Sequence, residues 1–164
     1  MTKTDPVPEW GHPIIVFEEN IMTILQWVAG ALIIYLWHPL AALIFIVWVV
    51  FSLVWFWRTI SIHCPNVKTG HCPSGYNVIT RRWFGYKDPK GFKAAFYRNI
   101  AVIIPWWIAP LIVGGYLLVH QGLDMRIIVL MTIVVVVGFV LVPMVSKKVG
   151  CRYCSNRNNC PWKG

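Results

Sequence analysis

The stretch "HCPNVKTGHCP", residues 63–73, spells His-Cys-Pro twice, and the C-terminal tail reads "CRYCSNRNNCPWKG". Between them these two segments hold all five cysteines of the chain, Cys64, Cys72, Cys151, Cys154 and Cys160, with His63 and His71 beside the first two. Cys151 and Cys154, with two residues between them, have the usual spacing of a chelating pair, and Cys160 follows after five more residues. Three thiolates in one tail leave a tetrahedral site one ligand short. Cys64 or Cys72 can complete it and so tie the central segment to the C terminus. Four thiolates suit either Zn²⁺ or a [4Fe–4S] cluster. His63 and His71 either replace a cysteine in mixed ligation or hydrogen-bond nearby.

Cys64, Cys72 and Cys160 are each followed by proline. Proline has a fixed φ and no N–H, so it turns the chain away from a bulky centre. A Cys-Pro pair also closes the bacterial ferredoxin cysteine run. The resemblance is one of local chemistry, because the full ferredoxin spacing is absent.

The elements that must position these ligands are apolar. The chain of 164 residues is 57% hydrophobic and only 13% charged, about half the charge of an ordinary soluble domain. Four stretches are long enough to cross the hydrocarbon core: Ile21–Trp37, Pro39–Trp57, Ile100–Val119 and Ile127–Val145. The expected fold is an all-α integral membrane protein whose four transmembrane helices form two hairpins, with a cysteine-bearing cytoplasmic loop and C-terminal tail. The expected division is an irregular N-terminal arm (1–20), a four-helix domain (21–145) that includes the loop 58–99, and a cysteine-rich tail (146–164). Glu18, Glu19 and Asn20 precede the first span, where carboxylates suit the positive end of a helix. His38-Pro39 leaves room only for a tight reversal. The N terminus is Pro-rich and mildly acidic, unlike a cleaved signal peptide, so no cleavage is expected.

The formal charge of +9 is topological. Lys3, the basic residues from Arg58 to Arg98 and those from Lys147 to Lys163 all fall on one side of a four-span chain, and Arg126 alone falls on the other. The positive-inside rule then places both termini and the loop in the cytoplasm, across the cytoplasmic (inner) membrane. No nucleic-acid role is expected. On the cytoplasmic side thiols stay reduced, which favours metal ligation over disulfides.

Within the loop, "YKDPKGFKAAFYRN" offers Asp88 as N-cap and Pro89 in the first turn, with Phe92 and Phe96 on one face and Lys93 and Arg98 elsewhere. That pattern predicts a short interfacial helix. Span 3 contains Pro105, Pro110 and Gly114-Gly115, which predict a kink and a close helix approach. A weak echo relates "GALIIYLWHPL" to "GGYLLVHQGL", so His38 and His120 each end the first helix of a hairpin. Paired, they could hold a haem or donate to a quinone carbonyl.

No Asp, Glu, Lys, Arg or His lies inside any span, which argues against a pump or ion-coupled carrier. The spans also lack cysteine, and there is no nucleotide-binding glycine loop or serine-nucleophile motif. The sequence therefore points to a membrane subunit of a redox complex, its cytoplasmic metal site relaying electrons to or from a quinone or a partner's cofactor. Arg81, Arg82, Trp83, Phe84 and Tyr86 would offer the docking surface for other protein subunits. Two alternatives stand beside it: an anchor or assembly factor folded by structural zinc, and a protein handling soft metals such as Cu(I).

Overall fold

The computed structural model describes residues 13–69, 72 and 74–147, apart from the side chains of residues 13–15, 19 and 69. Among these residues every regular element is helical. Four of the helical stretches are long and apolar enough to cross a membrane: Val16–Trp37, Pro39–His63, Pro89–Gln121 and Met125–Val145.

Helix α1 runs Pro13–Trp37 and α2 runs Pro39–Thr59. α1 starts earlier than the apolar pattern indicates, so residues 13–20, expected as part of an irregular arm, are helical. His38 alone separates the two helices. Its N–H still bonds the Ile34 carbonyl, and its own carbonyl accepts from Ala42.

The loop contains several short helices. A 3₁₀ turn at Ser61–His63 leads into the short helix α3 (Pro65–Thr69), and α4 follows at Tyr76–Trp83. Gly75, at the N-cap of α4, has φ +73°, the left-handed region open to glycine. Asp88 caps the next turn, its Oδ1 accepting from Lys90 N–H at 2.9 Å, and α5 spans Phe92–Asn99. Phe92 and Phe96 are buried while Lys93 and Arg98 are exposed, as the spacing predicts.

A 3₁₀ turn at Ile100–Ile103 precedes α6 (Pro105–Gln121). Span 3 is thus broken where Pro105 removes an N–H, and Pro110 lies within the remaining helix. α7 (Met125–Val135) begins on an Asp124 cap, widens to a π-helical segment at Val136–Leu141, and returns to an α turn, α8, at Val142–Val145. The π segment was not legible as such. Pro143 supplies its cause, because the ring clashes with the carbonyl four residues back, at Phe139, and forces the preceding turn to open.

The described residues group into two compact units: one holds residues 13–20, 55–101 and 144–147, and the other holds Ile21–Val54 and Val102–Pro143. The second unit contains most of each span. Its core joins Ala29, Ile33 and Val134 with Leu111, Val113, Leu130, Met131 and Ile133. Leu36, Ile44, Val47, Ile112 and Val129 point outward, the arrangement expected where the solvent is hydrocarbon. In such a solvent, helices associate through close packing and polar contacts rather than hydrophobic burial. The glycines show it. A Cβ on Gly30 would lie 2.8 Å from Pro110 Cγ and 3.4 Å from Phe45 Cζ, and one on Gly114 would lie 2.6 Å from Met131 Sδ.

The proline ring at Gly30 cannot swing aside as a methionine can. Gly30→Ala is therefore expected to destabilise the protein by about 1–3 kcal/mol, the usual range for overpacking. Gly114→Ala should cost less, because the Met131 chain can move. Thermal unfolding in detergent compares the two; equal midpoints would show that the Pro110 contact is not tight.

Candidate functional site

In the first unit Cys64 packs against a small apolar cluster. Ile60, Phe92 and Phe96 are buried together, with Phe56, Cys64 and Ile100 packed against them. Cys64 is half-buried; its N–H bonds the Ser61 carbonyl and its carbonyl accepts from Val67 at the start of α3. His63 Nδ1 lies 2.9 Å from the Asp88 carbonyl, and Lys87 N–H bonds the Ile62 carbonyl at 2.8 Å. A Cβ on Gly91 would come within 3.1 Å of His63 Nδ1, so the absence of a side chain there lets the ring lie against the Pro89–Gly91 turn. The pair of contacts pins the His63-Cys64 step to the Asp88 cap. Cys72 is half-buried, and its carbonyl accepts from Gly75 N–H just before α4.

His71, Cys151, Cys154 and Cys160 lie outside the described residues. Among the described residues, no three His, Cys, Asp or Glu side chains converge as a metal site. Met144–Lys147, which lead into the tail, group with the loop unit.

His38 and His120 sit at helix ends in the second unit. His38 Nδ1 accepts from Leu40 N–H at 3.2 Å. The His120 ring stacks on Tyr116, with centroids 4.3 Å apart and planes inclined by 41°. Tyr116 in turn meets Trp37 edge-on at 6.4 Å, so the two histidine-bearing ends are neighbours through Trp37 and Tyr116. Both histidines are exposed.

The second unit also holds a polar cluster that a search for ionisable residues passes over. Gln26 is 1% exposed, and neither its Nε2 nor its Oε1 has a hydrogen-bond partner. Trp27 Nε1 and Trp107 Nε1 are buried and unpartnered too. By contrast, Trp106 Nε1 donates to Ser52 Oγ at 2.6 Å, and Ser52 donates onward to the Val49 carbonyl at 2.9 Å. The polar side chain Ser52 in span 2 is thus satisfied, and Gln26 in span 1 is not. A lone glutamine near the middle of an apolar stretch was the available signal.

Comparison with protein-family models, with curated proteins and with solved structures finds no match for the chain.

On the loop, Arg81, Arg82, Trp83 and Tyr86 are exposed, Trp83 by 67%, and Phe84 meets Trp83 edge-on at 6.5 Å. They make a basic and aromatic surface at the end of α4.

Proposed function

We propose that this chain is an integral membrane subunit of a redox complex, with four spans in two hairpins and a thiolate metal centre on the cytoplasmic face. The observation that carries the reading is that Cys64, Cys72 and the residues entering the tail belong to one compact unit. That placement makes ligation by Cys151, Cys154, Cys160 and one loop cysteine sterically reasonable. The centre would be a [4Fe–4S] cluster, alternating between two oxidation states one electron apart. A quinone–quinol interconversion moves two electrons and two protons, so the centre would turn over twice for each quinone, exchanging electrons with a soluble partner docked on the Arg81–Tyr86 surface. His38 and His120, on helix ends that meet through Trp37 and Tyr116, are the residues to which a haem or a quinone contact is assigned.

Purification in mild detergent followed by metal analysis and electron paramagnetic resonance tests the proposal. Iron and sulfide in equal amounts, absorption near the violet edge of the visible and a signal on reduction are expected. Stoichiometric zinc without colour would replace it with the structural-anchor reading, and partial, exchangeable copper with soft-metal handling. Maleimide labelling of the tail cysteines from the cytoplasmic side alone is expected; labelling from outside would overturn the orientation and move the thiols to where disulfides form.

A further inference from the structure

Span 2 sets the level of the helix that follows it in space. α2 has 21 residues and is therefore about 30 Å long, the thickness of the hydrocarbon core. In a bilayer its last residues, Trp55 to Thr59, emerge among the lipid headgroups. α5 is fastened there. Trp55 Nε1 donates to Asn99 Oδ1 at 3.2 Å, while Asn99 Nδ2 donates to the Ala95 carbonyl at 2.9 Å, so both ends of the amide are engaged. Phe92 and Phe96 are buried with Ile60, and Phe56 packs against the three. With that side of α5 covered, Lys93, Ala94, Tyr97 and Arg98 face outward, Tyr97 being 61% exposed. Arg58, also exposed, lies one turn beyond Trp55, and Arg98 directly precedes Asn99. Both arginines thus sit within a turn of the hydrogen bond that ties the two helices. The charge is one-sided: between Trp55 and Ala101 stand eight lysines and arginines and one carboxylate, Asp88, whose Oδ1 accepts from the Lys90 N–H.

We propose that Arg58, Lys93, Tyr97 and Arg98 form a binding site for the headgroup of an acidic phospholipid. A lipid phosphodiester is an anion whose oxygens guanidinium groups bind in paired hydrogen bonds. Tyr97 adds an aromatic body that suits the wet edge of the hydrocarbon and a hydroxyl that donates. The level selects the partner. A residue in the headgroup layer is already surrounded by lipid, whereas an acidic soluble protein must displace that lipid to reach it. Bound there, the lipid bridges the end of α2 and α5, and so holds Phe92 and Phe96 over Cys64. Complementing the helix dipoles accounts for Arg58 in the last turn of α2 and Arg98 in the last turn of α5. It does not account for Lys93, in the first turn of α5, where a cation is unfavourable. The inference rests on the membrane-spanning part of the proposal above and not on the metal centre.

The full chain in nanodiscs of phosphatidylcholine, with and without phosphatidylglycerol as the probe, tests the site. Acidic lipid is expected to raise the unfolding temperature, and native mass spectrometry should find phosphatidylglycerol retained in preference to phosphatidylcholine. Arg58→Gln combined with Arg98→Gln should weaken that retention about 25-fold, since each basic residue near an acidic surface contributes about fivefold. The same double variant should lose the lipid-dependent rise. Lys68→Gln combined with Lys87→Gln removes equal charge from exposed positions elsewhere in the unit and should leave both readouts nearly unchanged. Equal losses in the two double variants would show a diffuse basic surface and overturn the site. An unfolding temperature that ignores acidic lipid in the unaltered chain, and is lower in both lipids for the arginine variant, would show that the arginines serve the helix ends only. Displacement of the lipid by inorganic phosphate at equal concentration would reassign the site to a soluble anion. Metal content enters none of these readouts, so loss of the cysteine centre would defeat the redox proposal alone, and absence of lipid binding would defeat this site alone.

Discussion

Cys151→Ser, Cys154→Ser and Cys160→Ser are each expected to leave the purified protein without metal. A closed tetrahedral centre has no spare ligand, and a serine hydroxyl is a poor substitute for a thiolate. One of Cys64→Ser and Cys72→Ser should have the same effect, and the other a smaller one. Because metal binds the folded arrangement and not the unfolded chain, losing it also removes its contribution to folding, about 10–16 kcal/mol for structural zinc in small peptides. Native-state proteolysis should then cut the loop and tail of the ligand variants faster than those of the bystander. Full metal content in all five variants would end the proposal. Loss confined to Cys64 and Cys72, shared by variants of His63 and His71, would instead identify a Cys₂His₂ site in the loop alone.

Phe96→Ala is expected to give the largest loss of stability among substitutions away from the proposed ligands. Phe96 is 9% exposed and packs with Ile60 and Phe92 in the cluster that Cys64 joins. Its ring meets Tyr97 edge-on at 5.8 Å and Phe92 at 6.2 Å. Removing a buried phenylalanine ring typically costs about 3–5 kcal/mol, the upper end applying where the gap cannot collapse. Here the Pro89–Gly91 turn that leads into α5 is held by its Asp88 cap, and the Asp88 carbonyl also meets His63, so collapse is restricted. Cys64 should become more reactive as its apolar cover loosens, giving faster maleimide modification when adducts are mapped by mass spectrometry. Phe96→Leu should keep most of the protection. Unchanged reactivity and an unchanged unfolding temperature in Phe96→Ala would mean that the cluster does not hold the loop.

Much of this protein follows from composition and periodicity. Apolar stretches of spanning length, interrupted at His38-Pro39 and at Asp124, determine four long helices because a chain in hydrocarbon must satisfy its backbone internally. The Asp88 cap and the Phe92/Phe96 face were legible because both are local: a side chain meets the backbone two residues away, and two rings lie one turn apart. The sequence likewise put the cysteines in two segments, which is why a metal centre could be proposed at all.

Packing decided the rest. The helical residues ahead of the apolar stretch are held by contacts far along the chain, such as Asn20 Nδ2 to the Ser74 carbonyl and Val16 against Gly75, which no local window contains. Pro143 announces a disturbance in span 4, but its form, a π segment with Gly138 against Trp107 and Gln26, requires three helices at once. The same holds for Ser52 and Gln26. As letters they are alike, uncharged polar residues in apolar spans; only the fold gives Ser52 the Trp106 indole and leaves Gln26 without a partner. A hydrogen bond needs its second atom within about 3 Å, and across helices that atom is supplied by tertiary structure alone.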